Sequence, residues 1–101
     1  MSSVIQRIDS VVRSNRITAF TKSHCPHSAA AKAALSSAGV KFHAEDIDKW
    51  DEKDMNEAQD HFMSTTGARS VPRIFIDGKC VGGNSDFQAA YVQTGKLKEF
   101  A

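Results

Sequence analysis

Apolar and polar positions follow a helical period in the first part of the chain. Hydrophobic side chains recur every three or four positions over residues 4–12, and Ser2 or Ser3 is placed to cap that helix. Pro26 suits the first turn of a second helix, which begins at residue 25 or 26 and stops at Gly39. The intervening run SAAAKAALSS consists mostly of good helix formers. Two helices are therefore predicted before residue 40.

A third helical pattern covers Asp51 to Thr66, with acidic residues at its start and Gly67 after its end. Its inward side is predicted to carry apolar residues at Met55, Ala58, Phe62 and Met63. Helical character returns after Gly83 and includes Phe87, Ala90 and Tyr91. A short final helix is predicted over residues 96–100.

Short segments rich in β-branched and aromatic residues predict four strands. They are Arg16–Thr21, Val40–Ile47, Arg73–Asp77 and Lys79–Val81. Asp77-Gly78 between the last two is a strong signal for a tight antiparallel hairpin. The unit over 16–47 is expected to be parallel and right-handed, because a helix separates its strands. The sequence therefore predicts an α/β fold in one domain over residues 1–101, with a mixed four-stranded sheet and helices on both faces.

Composition narrows the classes of function. The chain of 101 residues is 41% hydrophobic with a formal net charge of +1, which disfavours a general nucleic-acid or membrane binder. Residues 45–60 hold eight of the twelve acidic residues and two of the thirteen basic ones. The rest of the chain has eleven basic against four acidic residues, a net charge of +7. A small acidic ligand is favoured there.

The cysteine count and the start of the chain suggest a compartment. Only Cys25 and Cys80 are present, so there is no disulfide framework, and their use is typical of a reducing environment. The segment MSSVIQRIDS has no apolar core of a signal peptide, and no stretch is apolar enough to span a membrane. A cytoplasmic protein is expected.

Cys25 is the candidate nucleophile. A cysteine reacts as the thiolate, which is favoured at a helix N-terminus and beside cationic side chains. The predicted strand ends near Lys22, and the turn through Cys25 leads into the helix that Pro26 opens. The sulfur is expected to face unpaired backbone N–H groups with the Lys22 ammonium nearby. Protonated His24 or His27 would add to this effect.

Three motifs in this order resemble those of glutaredoxins. TKSHCPHS resembles their active-site turn, ARSVPRIFIDGK their cis-proline loop and hairpin, and CVGGNSDF their Gly-Gly-x-x-Asp motif for binding glutathione. The resemblance covers nearly the whole chain and implies a thioredoxin fold with a cis Val71–Pro72 peptide bond. It also implies a glutathione-dependent thiol–disulfide oxidoreductase, with glutathione as cosubstrate.

The same resemblance implies the glutathione-binding residues. Val71, before the cis-proline, would offer its backbone to the cysteinyl part, with Cys25, His27, Ser70 and Pro72 around it. The glycyl carboxylate would be held by Lys22, Gln59 and Arg69. The γ-glutamyl end would be held by Gly83, Asn84, Ser85 and Asp86, where Asp86 pairs with the ammonium group or caps the helix, or does both.

Ser28 is the main departure from the dithiol members, which have a second cysteine there. A serine cannot attack a mixed disulfide, so the mixed disulfide of Cys25 with glutathione must be resolved by a second thiol molecule. The expected activity is removal of glutathione from protein–glutathione mixed disulfides by a monothiol mechanism, with Cys25, Lys22 and Ser28 as the catalytic group. A serine introduced into a dithiol glutaredoxin to trap the intermediate would look the same.

Two alternatives remain open on the sequence. Monothiol glutaredoxins with a CGFS motif carry a [2Fe-2S] cluster between the active-site cysteines and two glutathiones, and Cys25 would then be the metal ligand. Pro26 and His27 stand where that family has Gly and Phe, which counts against cluster binding. A redox-inactive interaction module is disfavoured by the pairing of Lys22 with Cys25. The expected protein is a monomer whose partners are glutathione, glutathionylated proteins and small disulfides, with no resident metal.

Overall fold

A computed structural model describes residues 2–101 as one sheet with helices packed on it. The four α-helices are α1 Ser3–Ser14, α2 Pro26–Ser37, α3 Glu52–Thr66 and α4 Asn84–Phe87. A π-helical turn, Gln88–Val92, continues α4, and 3₁₀ turns cover Ile47–Lys49 and Lys96–Phe100. The strands are β1 Ile17–Thr21, β2 His43–Asp46, β3 Arg73–Ile76 and β4 Lys79–Gly82. This is the predicted order of elements.

The sheet is mixed, with strand order β2-β1-β3-β4. β1 runs parallel to β2, with Thr18 opposite His43, and antiparallel to β3, with Ala19 opposite Ile74. β3 and β4 form the predicted antiparallel hairpin, with a bulge between Ile74 and Phe75. The central β1 is buried along its whole length, so the active-site turn that follows it begins from a fixed point.

Helices cover both faces of the sheet, and each face has its own core. On one side α2, α4 and the C-terminal turn bury Ile17, Ala19, Ala31, Leu35, Val40, Ile74, Ile76, Phe87 and Leu97. On the other side α1 and α3 bury Val4, Ile8, Phe20, Ile47, Ala58 and Phe62. The structure thus confirms the prediction of a mixed four-stranded sheet flanked on both faces.

Local signals set the element ends. The Ser2 side chain accepts a hydrogen bond from the N–H of Ile5 at 3.1 Å, as expected for an N-cap. Asp77 and Gly78 both have positive φ, at 51° and 82°, the conformation of the tight turn that their sequence predicts.

None of the helices in residues 2–101 has the length and apolarity needed to cross a bilayer.

Two predictions about the elements are wrong in detail. β2 covers His43–Asp46 rather than Val40–Ile47, because its pairing with β1 begins at His43, opposite Thr18, and ends at Asp46, opposite Thr21. Met63 does not face the core: its side chain is 54% exposed, since Phe62 takes the buried position on that turn of α3.

Candidate active site

Cys25 lies at the start of α2, as the sequence predicts. Its backbone is extended, with φ −95° and ψ 118°, and it occupies the N-cap position with Pro26 next in the helix. The turn before it closes through a hydrogen bond of 3.2 Å from the N–H of Cys25 to the carbonyl of Lys22. The sulfur is partly exposed and lies 3.8 Å from the carbonyl oxygen of Val71. The turn and the cis-proline loop therefore meet at the sulfur.

The surroundings of the sulfur lower the pKa of the Cys25 thiol. Partial burial alone would raise this pKa, but hydrogen bonds to the thiolate outweigh burial. They come from the hydroxyl and the backbone N–H of Ser28 and from the backbone N–H of His27, and the Lys22 ammonium adds a favourable charge. The helix N-terminus therefore stabilises the form of cysteine that attacks disulfides.

Ser28 is fully buried, at 0% exposure, although it lies on the first turn of α2. Its hydroxyl oxygen accepts a hydrogen bond of 3.2 Å from the backbone N–H of Lys22. The same hydroxyl donates towards the Cys25 thiolate. Ser28 therefore joins the beginning of the active-site turn to its reactive sulfur.

A groove of about 280 Å³ lies on the Val71 side of the sulfur. The Val71–Pro72 peptide bond is cis, as the resemblance implied. The groove brings together Arg73 and eight of the predicted glutathione-binding residues. The eight are His27, Ser70, Val71, Pro72, Gly83, Asn84, Ser85 and Asp86.

Gly82 and Gly83 allow Asp86 and Arg73 to pack directly against the backbone beside the groove. A Cβ on Gly82 would collide with the carboxylate of Asp86, and a Cβ on Gly83 would lie 2.8 Å from Nη2 of Arg73. Gly82 also has a φ of 105°, which residues with a side chain rarely adopt. The N-cap position of α4 is occupied by Gly83, and Asp86 is the third residue of the helix, so the alternative role of Asp86 as the N-cap residue is wrong.

A second groove, of about 370 Å³, is lined by Cys25 itself together with Lys22, His24, Asp48 and Met55. Asp48 holds the active-site turn by accepting hydrogen bonds from the backbone N–H of Ser23 at 3.0 Å and from its hydroxyl at 2.6 Å. These hydrogen bonds, the hydroxyl's first, lower the pKa of the Asp48 carboxyl.

Gln59 and Arg69, which the resemblance assigned to the glycyl carboxylate with Lys22, line neither of these grooves. The Gln59 side chain is 8% exposed and donates a hydrogen bond of 3.0 Å to the carbonyl of Arg69. Arg69 is exposed, and its Nε lies 3.1 Å from Oδ1 of Asp60. In this arrangement Gln59 fixes the loop that leads to Ser70.

Sequence reasoning missed two residues at the grooves. The sequence analysis assigns Arg73 only to the start of a strand, although a cation directly after the cis-proline, at the start of a buried strand, is a signal for a binding role. Asp48 belongs to the acidic segment, and nothing in its local sequence indicates its contact with Ser23.

Cys80 lies on β4 and lines neither groove. No group of three or more metal-ligating side chains occurs within residues 2–101.

Comparison with known proteins identifies the family of this chain. A model of the glutaredoxin family matches residues 17–81 of the chain. The chain belongs to the glutaredoxin family. Glutaredoxin-1 of Gallus gallus is 40% identical over 81 residues, which are 80% of this chain and 78% of the relative. Glutaredoxin-C2 of Arabidopsis thaliana is 34% identical over 93 residues, 92% of this chain and 81% of the relative.

Solved glutaredoxin structures share the fold. The crystal structure of a buckwheat glutaredoxin–glutathione complex has a TM-score of 0.86 at 28% identity, covering 96% of this chain and 86% of the other. Oxidized glutaredoxin 2 from Chlamydomonas reinhardtii has a TM-score of 0.82 at 35% identity, covering 96% and 89%. The thioredoxin fold implied by the motifs is confirmed. As a glutaredoxin, the protein is a glutathione-dependent thiol–disulfide oxidoreductase.

Proposed function

We propose that this glutaredoxin reduces protein–glutathione mixed disulfides by a monothiol mechanism through Cys25. One observation carries the proposal: Cys25 lines one groove, its sulfur lies 3.8 Å from the carbonyl of Val71, which lines the other, and donors at the start of α2 lower its pKa. The two grooves offer room near the sulfur for the two ends of a tripeptide.

The reaction consists of two thiol–disulfide exchanges. The Cys25 thiolate attacks the glutathionyl sulfur of the mixed disulfide, so a Cys25–glutathione disulfide forms, and the protein thiolate leaves and takes a proton from water. The thiolate of a second glutathione then attacks the glutathionyl sulfur on Cys25. Glutathione disulfide leaves, and the Cys25 thiolate is regenerated.

Ser28 supports this one-cysteine route. It stands one helical turn from Cys25 and is buried with its hydroxyl hydrogen-bonded, so the position that holds the second cysteine in dithiol members offers no thiol here. Cys80 lies apart from the grooves on β4. External glutathione is therefore the proposed resolving thiol, and Ser28 stabilises the attacking sulfur instead of attacking the mixed disulfide.

Glutathione is the proposed cosubstrate, and a glutathione complex of the buckwheat relative supports it. The cysteinyl part would bind along Val71. The γ-glutamyl end would occupy the groove that Asp86 lines, and the glycyl carboxylate would lie towards Lys22. Arg69 would have to release Asp60 to reach that carboxylate.

The test is turnover of a glutathionylated peptide with glutathione, using wild type, Ser28→Cys and Cys25→Ser, with Cys80→Ser as the matched control. We expect wild type, Cys80→Ser and Ser28→Cys to be active within a few-fold of each other and Cys25→Ser to be inactive but folded. Activity only in Ser28→Cys would contradict the monothiol mechanism and favour a dithiol protein that has lost its second cysteine.

Visible absorbance, recorded first with glutathione present, addresses the iron–sulfur alternative. In that case Cys25 would be the thiolate that this chain supplies to a [2Fe-2S] cluster shared between two copies. A brown dimer without turnover would overturn the enzymatic proposal. We propose that the protein acts as a monomer in the cytoplasm, and size-exclusion chromatography of the same sample checks the monomer.

A further inference from the structure

Arg73 is a buried cation without an acidic partner. The residue is 6% exposed, and it forms no ion pair with any carboxylate in the described part of the chain. Its Nε donates to the carbonyl of Pro72 at 3.3 Å and its Nη1 to the hydroxyl of Thr66 at 3.4 Å. Burying a guanidinium without a counter-ion is unfavourable, so a ligand anion would compensate for it.

The guanidinium still has a donor available for such an anion. Nη2 of Arg73 has no hydrogen-bond acceptor among residues 2–101. Every fully buried side-chain nitrogen or oxygen in these residues does have a hydrogen-bond partner. Nη2 is therefore not fully buried, and it is accessible to solvent. It lies against Gly83, at 2.8 Å from the position of a Cβ there, and Arg73 lines the groove of about 280 Å³.

The same groove carries a negative side chain. Asp86 is exposed and pairs with no cation within the described residues. A groove lined by one unpaired guanidinium and one unpaired carboxylate matches a ligand end that carries both an ammonium and a carboxylate. The free α-amino-acid end of a γ-glutamyl group has both charges on one carbon.

We propose that Arg73 binds the α-carboxylate of the γ-glutamyl group through Nη2 and determines the preference for that group over one without the carboxylate. This inference rests on the proposed function, because it assigns a residue to the glutathione site. An arginine–carboxylate hydrogen bond is charge-assisted and strong in a partly buried groove. Gly83 is required beside it, since a Cβ there would occupy the approach to Nη2.

The test compares two mixed disulfides of the same peptide. One carries glutathione, and the other carries γ-aminobutyryl-cysteinyl-glycine, which lacks only the α-carboxylate. We expect wild type to prefer glutathione about tenfold or more in kcat/KM, as the loss of one hydrogen bond between charged groups predicts. Arg73→Gln should turn over the two substrates about equally, and Arg73→Lys should keep part of the preference.

Arg13→Gln is the matched control, because it removes an exposed guanidinium that lines neither groove and should leave the substrate ratio of wild type unchanged. The proposal is overturned if Arg73→Gln keeps the wild-type ratio or, where that variant does not fold, if Arg73→Lys keeps it in full. A wild type that turns over neither mixed disulfide overturns the proposed function together with this inference. Turnover with an unaltered ratio in the Arg73 variants overturns the role of Arg73 alone.

Discussion

Replacing Ser28 by alanine tests the claim that its hydroxyl stabilises the reactive sulfur. The substitution removes a single oxygen from a fully buried position. It deletes the donor to the Cys25 thiolate and the acceptor of the Lys22 N–H at 3.2 Å. One change therefore perturbs both the ionisation of the sulfur and the stability of the turn.

The two effects have separate magnitudes. A hydrogen bond to a charged group contributes about 1.5–3 kcal/mol, and we take the lower limit because Cys25 is partly exposed. About 1.4 kcal/mol corresponds to a tenfold change in an equilibrium. The ratio of thiolate to thiol should therefore fall about tenfold, which raises the pKa of Cys25. The unpaired N–H of Lys22 should lower the free energy of unfolding by about 1–3 kcal/mol.

The assay is the rate of alkylation of Cys25 by iodoacetamide as a function of pH, in a Cys80→Ala background that leaves one thiol. Wild type should react at its full rate from a lower pH than Ser28→Ala, because its lowered thiol pKa keeps the sulfur ionised there. Ser36→Ala, an exposed serine on the same helix, is the matched control and should follow the wild-type profile.

An alkylation profile of Ser28→Ala that coincides with wild type would refute the role of the hydroxyl. Denaturant unfolding separates this outcome from a simple loss of structure. A variant with an unchanged profile but reduced stability would show that Ser28 holds the turn through Lys22 and has no influence on the sulfur.

Three further predictions concern a helix end, an ion pair and the active-site turn. Gly39→Ala should lower the free energy of unfolding by about 1–2 kcal/mol and leave activity unchanged, because Gly39 has a φ of 71° with no atom near its would-be Cβ; an unchanged denaturation midpoint would contradict this. Asp46→Asn should flatten the acid dependence of stability. The hydrogen bond from Lys32 lowers the Asp46 pKa, so this carboxylate contributes stability above about pH 4 and loses it as the pH falls through the lowered value; thermal unfolding across this range measures the difference, and equal slopes would argue against it. Asp48→Asn should weaken the hold on Ser23 and reduce kcat/KM several-fold with the alkylation profile of Cys25 little changed, whereas full activity would rule out a positioning role.

Most of the fold follows from local signals in the sequence. Ser2 and Gly67 mark helix ends through backbone chemistry that acts within a few residues, and the Asp77-Gly78 turn fixes the hairpin. The extent of β2 could not be predicted in this way, because it depends on where the neighbouring β1 supplies hydrogen-bond partners. The alternation of apolar and polar residues begins at residue 40, three residues before the hydrogen-bonded pairing of β2 with β1.

The site was predictable where the chemistry belongs to one turn of chain. Cys25 at the start of α2 follows from Pro26 and the strand before it. The contact of Asp48 with Ser23 and the position of Arg73 beside Gly83 join segments far apart in sequence. Such contacts depend on the packing of the whole sheet, so they cannot be predicted from the spacing of residues within one segment.

The two outer strands of the sheet are only four residues long, and their side chains discourage pairing with another chain. On β2, His43 and Glu45 are engaged with each other at 2.7 Å, while β4 begins with Lys79 and ends with Gly82. Addition of a strand from another chain at either edge of the sheet is therefore disfavoured. In the proposed reaction a client protein would instead present its modified cysteine at the loop that contains Val71, outside the sheet.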